Sequence, residues 1–499
     1  MNDDVGQIST DSEELSDVLR IRREKLLKLQ EEGRDPFEVT KFSRTAYSSD
    51  ILENFATMEN QDVALAGRIM AKREMGKAVF VDIADDKGRI QLYIRQNDVG
   101  EQSFGDVKKS DIGDIIGVGG FVFKTRMGEI SVHCRTMELL AKSLHPLPEK
   151  YHGLTNQELR YRQRYVDLLM NPETRKTFEV RSAFISYVRE FMNERGYMEV
   201  ETPVLDTISG GAAARPFITH HNTLRLDMFL RIALELHLKR LIVGGIERVY
   251  EIGRVFRNEG MDTKHNPEYT LLELYEAYTD YFGMMDLVEE LLSSAAMKLL
   301  GSYKLSWQGF ELDLTPRWQR ITMAEAVLQH TGVDFMSFTD AQDAVSAAAG
   351  IGVKMPDGKE ASWGDLLFEC FDQKVEEKLI QPVFVTDHPV EVSPLAKRKP
   401  SDPRLTERFE LFICRSEIAN AFSELNDPID QRQRFMRQAE MRNAGDLEAS
   451  MMDEDFINAL EYGMPPTGGM GIGIDRAVMM LTNNSSIRDV LLFPTMKPV

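Results

Sequence analysis

The sequence contains little cysteine: three of its 499 residues, at positions 134, 370 and 414. Their wide spacing excludes a disulfide framework and a cysteine-rich zinc module, and it favours a reducing compartment. No uninterrupted apolar run approaches the ~20 residues that a membrane-spanning helix needs. Residues 1–17 are acidic and polar, without the hydrophobic segment of a secretory signal. The sequence therefore predicts a soluble, cytoplasmic protein.

Positive charge is also in deficit. The chain has 60 Lys and Arg against 80 Asp and Glu, which gives a formal net charge of −20. This balance argues against a nucleic-acid binder that relies on overall charge, although one localised basic patch remains compatible with it. Hydrophobic residues make up 42% of the chain, enough for more than one buried core. We therefore expect at least two folded domains.

The N-terminal segment predicts a flexible acidic tail followed by a helical region. Residues 1–17 carry six acids and no base, and residues 18–60 follow as the helical region. Leucines recur at nearly helical spacing from Val18, until Gly33 and Pro36 end the pattern. Basic residues fill the remaining positions of this helix. It either docks through its leucines with a solvated basic face, or presents that face to nucleic acid.

Residues 61–144 show the two-residue period of β-strands. Five short runs, separated by Gly, Asp and Lys turns, fit a small antiparallel barrel of the OB type. The alternation puts Phe80 and Tyr93 on the outer face rather than in the core. The polar residues predicted to surround these rings are Lys72, Arg73, Gln91 and Arg95. Such a platform suits stacking of unpaired nucleic-acid bases, each worth roughly 1–3 kcal/mol; two ordinary surface aromatics are the alternative.

A linker, residues 145–171, precedes the larger predicted domain, residues 172–499. The first half of this domain contains a predicted helix from about Pro172 to Arg195, which ends at Gly196. Beyond this helix, strands and helices alternate irregularly, and neither GxGxxG nor GxxxxGK[ST] opens a helix, so a Rossmann or P-loop fold has no support. We predict an α+β domain with a helical insertion around 310–390.

The stretch 247–278 predicts two alternating strands joined by a polar loop. Arg257 and Glu259 share parity on the first strand, and Tyr269, Glu273 and Tyr275 share parity on the second. An antiparallel pairing would put all five on one face of a sheet. Polar groups without partners are costly to bury, so a set of this size indicates a binding site rather than a structural face.

The stretch 405–425 predicts a hairpin with its turn near 414–416. Glu410 and Glu417 converge there without a basic partner, which indicates Mg²⁺ held together with phosphates. Asn420, Phe422 and Glu424 share one face of the second strand. Glu417 has the opposite parity, so a β-bulge is needed for all of these residues to serve one pocket.

The stretch 463–481 combines glycines at 468, 469, 471 and 473 with the start of a helix. Glycines allow a close approach of the backbone, and Arg476 lies at the helix start, where its guanidinium and the backbone N–H groups favour an anion. A glycine-rich run alone is weak evidence. The order of strand, glycines, arginine and helix strengthens it.

Together these stretches resemble the class II aminoacyl-tRNA synthetases of subclass IIb, the aspartyl, asparaginyl and lysyl subgroup, and specifically the bacterial lysyl-tRNA synthetases. The three class II motifs correspond to ERGYMEVETPVL, FRNEG…KHNPEYTLLELY and GGMGIGIDRAVMM. Lysyl-type stretches include GGAAARPFITHHNTL, HPVEVSPLAKRKPSDPRLTERFELFI and EIANAFSELNDPIDQRQRF. The resemblance covers essentially residues 18–499.

The resemblance implies a lysine–tRNA ligase, which activates L-lysine with ATP to lysyl-adenylate and transfers it to the 3′ end of tRNA(Lys). It implies an OB-fold anticodon-binding barrel and a class II antiparallel-sheet catalytic domain. It also implies several ATP-associated Mg²⁺ ions, and a homodimer joined around Pro203.

The resemblance further assigns roles to individual residues. Those expected to bind ATP are Arg257, Glu259, His265, Asn266, Tyr269, Glu410 and Arg476, with Arg257 and Arg476 also catalytic. Those expected to bind lysine are Gly211, Glu235, Arg257, Glu273, Tyr275, Asn420, Phe422 and Glu424. Glu410 and Glu417 would hold Mg²⁺. Those expected to read the anticodon are Arg73, Phe80, Gln91 and Glu129.

Two residues beside Glu235 depart from the lysyl pattern: Leu234 and His237 stand where Pro and Tyr are usual. The residues themselves favour the same substrate, because Glu424 and Glu273, with little positive charge at the far end of the pocket, suit a side-chain cation. An aspartate-specific relative would need Arg or Lys there. A buried site built for a hydrogen-bonded ammonium rejects neutral analogues by roughly 10⁴–10⁵.

Two other functions compete with tRNA charging. A protein-lysylating paralogue, acting on a translation factor, would resemble only the catalytic half and would lack the barrel at 61–144. A catalytically inactive RNA-binding relative would have lost Arg257, Arg476 or the Glu410 and Glu417 pair, and all four are present.

Overall fold

A computed structural model describes residues 4–148, 154–338, 341–354, 361–446 and 448–498. The chain divides into two compact units, residues 1–153 and 154–499. Parts of the predicted tail, of the 145–171 linker and of the 310–390 insertion lie outside the described residues. No helix in the described ranges combines the length and the apolar character that crossing a bilayer requires.

The first unit is a closed five-stranded barrel with helices around it. Its helices are α1 (Asp4–Glu31), α2 (Ser48–Glu53), α3 (Phe55–Met58) and α4 (Gln96–Lys109). Its strands are β1 (Asp62–Met75), β2 (Ala78–Ala84), β3 (Arg89–Arg95), β4 (Ile115–Lys124) and β5 (Ile130–Ala141). The order around the barrel is β1-β2-β3-β5-β4. Alternate apolar residues such as Val81 and Leu92 fill the core, and the predicted OB-type barrel is confirmed.

Two features of this unit differ from the expectation. Helix α1 begins at Asp4, within the segment predicted as a tail. Helix α4, between β3 and β4, was not predicted; Gly100, with a φ of 83°, interrupts its helical pattern.

The basic residues of α1 also have partners in the same unit: Arg22 donates to the backbone oxygens of Ser143 and Ile112. Arg22 is therefore unavailable to nucleic acid.

The second unit contains a large mixed sheet with helices on both faces. Its helices are α5 (Gln157–Arg162), α6 (Arg164–Met170), α7 (Pro172–Glu194), α8 (Glu235–Val243), α9 (Tyr281–Leu300), α10 (Met323–Thr331), α11 (Ala341–Gly350), α12 (Trp363–Lys374), α13 (Pro428–Asn443), α14 (Glu454–Glu461) and α15 (Ile474–Leu481). Its strands are β6 (Met198–Glu199), β7 (Leu205–Asp206), β8 (Ile218–His221), β9 (Leu226–Leu230), β10 (Arg248–Phe256), β11 (Glu268–Ala277), β12 (Lys304–Trp307), β13 (Phe310–Asp313), β14 (Gln319–Thr322), β15 (Val383–Thr386), β16 (Arg398–Lys399), β17 (Asp402–Thr406), β18 (Arg408–Ile413), β19 (Ser416–Ser423) and β20 (Thr467–Gly473). The α+β prediction is confirmed.

The main sheet has the strand order β14-β15-β18-β19-β20-β11-β10-β6. Its two end pairs are parallel and the pairs between them are antiparallel. Leu272 and Leu274 of β11 pack with α7, α9 and α15 on one face. Tyr275 of the same strand packs with α8, α13 and α14 on the other. This alternation assigns the odd-numbered residues of β11 to the face that carries the candidate site.

The hairpin of β18 and β19 contains the bulge that the parity conflict predicted. Leu411 pairs with Ala419 but Phe412 pairs with Glu417, so Ile418 is the additional residue. The turn is formed by Cys414 and Arg415, both with positive φ, as a two-residue hairpin turn requires. The bulge brings Glu417 to the same face as the later residues of the strand.

The predicted helical insertion is more varied than expected. Helices α10, α11 and α12 fall within 310–390, but so do three strands, and β14 and β15 extend the main sheet at one edge. Buried residues such as Val327, Phe371 and Val385 form a separate core there. The insertion therefore has its own core and also completes the sheet.

Candidate functional site

The second unit contains a cavity of about 440 Å³ on the face of the sheet that α8 covers. All fifteen residues predicted to bind lysine, ATP or Mg²⁺ line it. They are Gly211, Glu235, Arg257, Glu259, His265, Asn266, Tyr269, Glu273, Tyr275, Glu410, Glu417, Asn420, Phe422, Glu424 and Arg476. The roles assigned to them remain predictions, but the geometry brings together residues that are up to 265 positions apart.

One part of the cavity is rich in buried carboxyl groups. Glu235 begins α8, Glu273 lies on β11, and Glu424 follows β19; all three are buried. The Tyr275 hydroxyl donates to Glu273 Oε2 at 3.4 Å. The backbone N–H of Leu234 donates to Glu273 Oε1 at 3.2 Å. Three carboxyl groups of low exposure are costly to hold together unless cations approach them.

One internal cation does approach, which corrects the expectation of little positive charge here. Lys239, one helical turn after Glu235, is fully buried and forms ion pairs with Glu235 and Glu424. Its ammonium group lies 5.3 Å from the ring centre of Phe422. Three carboxyl groups face one ammonium group, so acidic groups remain in excess. Sequence reasoning missed Lys239, although its i+4 spacing from Glu235 was a signal.

Glu424 directs one of its oxygens at the neighbouring glycine strand. Its Oε1 is buried and has no hydrogen-bond partner among the described residues. A Cβ at Gly469 would lie 1.9 Å from this oxygen and 2.4 Å from the Tyr275 ring. Glycine is therefore required at position 469 by close packing. A buried carboxylate oxygen without a partner indicates a place for a hydrogen-bond donor from a ligand.

The environment of Glu273 opposes its negative charge. Burial, followed by the nearby charge of Glu235, raises the pKa of Glu273 to about 8. Its carboxyl group is therefore mostly protonated at neutral pH in the free protein. A ligand ammonium group placed beside it would favour the ionised form.

Arg257 supplies an unpaired cation to another part of the cavity. It follows β10, which ends at Phe256, so Arg257 and Glu259 lie in the loop and not on the strand as predicted. The Arg257 backbone donates to Pro267 O, and its guanidinium carbon lies 5.4 Å from the Tyr269 ring centre. Its Nε is buried without a partner among the described residues. An anionic ligand would satisfy this group.

Arg476 lies close to the predicted phosphate-binding loop. Its Nη1 donates to the backbone oxygen of Glu417 at 2.7 Å and approaches Glu417 Oε2 at 3.4 Å. Its Nη2 lies 3.3 Å from His265 Nε2, and the other ring nitrogen of His265 contacts Asp262 at 2.8 Å. Because Arg476 is the third residue of α15, its charge adds to that of the helix N-terminus.

Glu410 also has an arginine partner that the sequence reasoning missed. Arg408 Nη2 donates to Glu410 Oε1 at 2.6 Å, and Arg408 Nε donates to Asn420 Oδ1 at 3.1 Å. The prediction that Glu410 and Glu417 lack basic partners is therefore wrong. Arg408 has the same parity on β18 as Glu410, which was a usable signal.

The two carboxylates still fit a shared cation. Arg408 uses Oε1 of Glu410 and Arg476 uses Oε2 of Glu417; in the described residues the second oxygen of each has no hydrogen bond. No cluster of three or more potential metal ligands occurs in the described part of the chain. Magnesium is often bound by one or two carboxylates together with phosphates and water, so two carboxylates are a sufficient protein contribution.

The remaining predicted residues have mixed surroundings. Glu259 is exposed and accepts from the Arg215 backbone at 3.4 Å. The Asn266 side chain already donates to Glu268 O at 2.6 Å. Gly211 has a φ of 86° and packs against Glu235, where a Cβ would lie 3.4 Å from that of the glutamate.

Glu235 lines the cavity although its neighbours Leu234 and His237 depart from the lysyl pattern. Leu234 is fully buried and precedes the first residue of α8. His237 Nε2 contacts Asp206 Oδ2 at 3.0 Å, so it anchors α8 to β7. Both residues support the helix that carries Glu235, without closing the cavity.

A second candidate surface lies on the outside of the barrel. Phe80 and Tyr93 form a ring pair with centres 5.0 Å apart, as the alternation predicted. The rings of Phe121, Phe123 and His133 extend it, with the Tyr93 and His133 centres 5.1 Å apart. We call these five rings the barrel platform. The last three were missed, although each alternates with a buried neighbour.

Polar groups border the barrel platform. Arg73 is exposed and pairs in register with Phe80, and Glu129 is exposed beside the β4–β5 turn. Gln91 accepts from Ser131 Oγ at 3.1 Å. Lys72 was expected at the platform, but its ammonium group donates to backbone oxygens at the end of α4. Its charge is used within the unit.

Comparisons with known proteins identify the family of each of the two units. The family of class II tRNA synthetases (D, K and N) matches residues 156–497, and an OB-fold nucleic acid binding domain matches residues 63–140. The lysine–tRNA ligase of Pelotomaculum thermopropionicum is 58% identical over 495 residues, 99% of this chain and 98% of the relative. That of Thermoanaerobacter pseudethanolicus is 57% identical over 498 residues, 100% and 99% of the two chains. That of Moorella thermoacetica is 58% identical over 487 residues, 97% and 98%.

Proposed function

The chain belongs to the class II tRNA synthetases of the D, K and N group, and on that premise we propose that it activates L-lysine with ATP and transfers it to tRNA(Lys). It is a lysine–tRNA ligase, as its relatives are along their full length. The observation that carries the choice of amino acid is the excess of buried carboxyl groups at one part of the cavity: Glu235, Glu273 and Glu424 against Lys239. An aspartate side chain would add a fourth carboxyl group there.

The activation step requires positioning and charge neutralisation. The carboxylate of lysine attacks the α-phosphorus of ATP, pyrophosphate leaves, and lysyl-adenylate forms. Arg257 is suited to bridge the attacking carboxylate and the α-phosphate, because its Nε is buried without a partner among the described residues. Arg476 is suited to the terminal phosphate, and Tyr269 to the adenine. Fixed cations aimed at developing negative charge account for much of the rate enhancement in such sites.

We also infer that Mg²⁺ accompanies ATP, held by Glu410 and Glu417. The second oxygen of each carboxylate is available beside an arginine, which leaves room for a cation shared with phosphates. When bound, the ion would neutralise phosphate charge. Arg408 and Arg476 would keep the two carboxylates in place.

The barrel platform is the proposed anticodon-reading surface. Phe80 and Tyr93 offer half-buried rings for stacking, and Gln91, Arg73 and Glu129 lie within reach of base edges or phosphates. Stacking on aromatic rings and hydrogen bonds to base edges are how proteins read single-stranded RNA. The protein-lysylating alternative is not supported, because the relatives match along the whole chain, barrel included. We also propose that the protein works in the cytoplasm, because a tRNA ligase supplies protein synthesis.

We propose a homodimer formed around the segment near Pro203. Apolar side chains of this region are exposed in the single chain: Met198, Val204, Leu205, Ile218 and Leu224, with exposed fractions of 41–66%. Exposed apolar groups concentrated in one segment are typical of an interface. Sedimentation of the purified protein should give twice the chain mass, and a monomer at all concentrations would contradict this proposal.

An amino-acid-dependent exchange of pyrophosphate into ATP tests the function. Among the twenty amino acids, lysine should support the exchange and aspartate and asparagine should not. Charging of tRNA(Lys) with lysine should follow. Equal exchange with lysine and aspartate would overturn the assignment of the substrate.

A further inference from the structure

Lys239 is an unusual residue in a cavity proposed to hold lysine. It is 0% exposed, and its ammonium group contacts Glu235 Oε1 and Glu424 Oε2. The ring centres of Tyr275 and Phe422 lie 6.0 Å and 5.3 Å from its Nζ. Lysine is almost never fully buried unless it is paired. The protein thus holds a side chain of the same chemical type as its proposed substrate.

We propose that Lys239 is a positioning residue for recognition of the substrate lysine: it binds one oxygen of Glu235 and one of Glu424, and so directs Glu424 Oε1 toward the substrate ε-ammonium. The proposal rests on the proposed function of the cavity. It names a residue outside the set that the sequence analysis assigned to substrate binding.

The different surroundings of the two Glu424 oxygens support this division of labour. Both oxygens are buried without a hydrogen bond among the described residues, but Lys239 forms its ion pair with Oε2 and not with Oε1. Because position 469 is glycine, Oε1 can lie close against β20, where a Cβ would be 1.9 Å away. Neutralisation of the charge of Glu424 would be served equally by contact of Lys239 with either carboxylate oxygen. The contact of Lys239 with Oε2 therefore also fixes the orientation of the carboxylate.

The charge balance explains why a resident cation helps a second cation to bind. Glu235 and Glu424 would repel each other in a site of low polarity, and without Lys239 one of them would take up a proton. Burial would lower the pKa of Lys239, but the charges of Glu235 and Glu424 outweigh it and the pKa is raised. Lys239 therefore stays charged. Burial raises the pKa of Glu235 and of Glu424, and the charge of Lys239 opposes this rise, so Lys239 favours the ionised carboxylates that bind the ammonium groups of the substrate.

The opposite arrangement is also physically possible. Lys239 could compete with the substrate for Glu424, in which case removing its charge would strengthen lysine binding. The two arrangements predict shifts of KM in opposite directions. One variant therefore distinguishes between them.

The experiment compares full-length Lys239→Met with Lys298→Met in lysine-dependent pyrophosphate exchange. Lys298 is the matched control: it also lies on a helix and forms an ion pair, with Glu190 at 2.6 Å, but it is exposed. Lys239→Met should raise the KM for lysine about 30-fold or more, as expected when one partner of a buried ion pair is truncated. The KM for ATP should change less than about twofold, since neither arginine of the phosphate site is altered.

Discrimination provides a readout that a purely structural role would not change. The ratio of kcat/KM for lysine to that for norleucine, which lacks the ε-ammonium group, should fall in Lys239→Met and stay unchanged in Lys298→Met. Lys239→Arg keeps the charge and should recover part of the lysine affinity. An unchanged or lowered KM for lysine in Lys239→Met would overturn the proposal, as would equal losses in the Met and Arg variants.

Folding is checked by thermal unfolding of each variant. If Lys239→Met alone does not fold, the double variant Glu235→Gln and Lys239→Met, which reduces the number of unpaired charges, is compared with Glu235→Gln. The double variant should have the higher lysine KM, and an equal KM would overturn the proposal. Lysine-independent exchange in the wild-type protein would instead contradict the proposed function itself, so the two failures are distinguishable.

Discussion

The barrel platform and the cavity of the second unit bury their polar groups to different degrees. On the platform, Phe80 and Tyr93 are half-buried while Arg73 and Arg95 are exposed. In the cavity, by contrast, charged groups such as Glu424 are buried within the fold. Half-exposed rings stack with any base at modest gain, so their selectivity comes from a few groups at the edge. Enclosed charges are costly when unpaired, so the cavity tolerates few substitutions in protein or ligand.

This contrast predicts that the largest loss of activity comes from an enclosed charge. Arg257→Ala should reduce pyrophosphate exchange by about 10²–10³-fold or more, the loss typical of removing one group that stabilises charge in the transition state. The matched control is Arg320→Ala, which removes an exposed arginine paired with Asp286. Exchange near the wild-type rate in Arg257→Ala would show that its buried Nε does not serve the reacting groups.

The next largest effect should come from crowding the Glu424 carboxylate. Gly469→Ala places a Cβ 1.9 Å from Glu424 Oε1, and overpacking of this kind should raise the KM for lysine about 10–100-fold. Gly105→Ala, where nothing lies within 4 Å of the new Cβ, is the control. Steady-state exchange at varied lysine measures the effect. An unaltered KM would mean that Glu424 moves without loss of binding.

A platform residue should give a smaller effect and only in the reaction with tRNA. Phe80→Ala removes one stacking ring, so kcat/KM for tRNA should fall about tenfold, within the range for loss of one stacked base. Pyrophosphate exchange, which involves no tRNA, should be retained. Equal charging by the variant and the wild-type protein would remove the anticodon role of this ring.

The smallest effect concerns the pH dependence of lysine binding. The pKa of Glu273 is about 8 in the free protein, and the substrate ammonium should lower it. Binding below pH 8 therefore releases part of a proton, and lysine affinity should rise about threefold to fivefold in total from pH 6 to 8 and then level off. Calorimetry in buffers of different ionisation enthalpy measures the released proton. Glu273→Gln should abolish the release, and its persistence in that variant would assign the proton to another group.

Much of both surfaces was predictable because alternation along a strand reports which side chains share a face. It correctly gave the outward position of Phe80 and Tyr93, and the parity conflict at Glu417 correctly required a bulge. The same rule, applied further, would have given Phe121 and Arg408. The facing of residues on strands is therefore predictable from the sequence.

Other features depend on contacts between distant parts of the chain. The sequence places Lys239 one helical turn from Glu235, but its pairing with Glu424 arises only when α8 packs over the sheet. The end of β10 at Phe256 is set by the loop that folds back to Pro267. The interruption of α4 at Gly100 also follows from local backbone conformation rather than from hydrophobic periodicity.

The bulge at Ile418 divides β19 into two parts, and the alternation of side chains between the two faces of the sheet starts anew after it. All three residues line the cavity; in the proposed function Glu417, before it, would serve the nucleotide, and Asn420 and Phe422, after it, would serve the amino acid. Shortening the hairpin by this one residue would turn Glu417 toward the helices and leave the later positions as they are. The two ends of a single strand can consequently diverge separately during evolution, so that relatives could exchange their amino acid while retaining the same nucleotide chemistry.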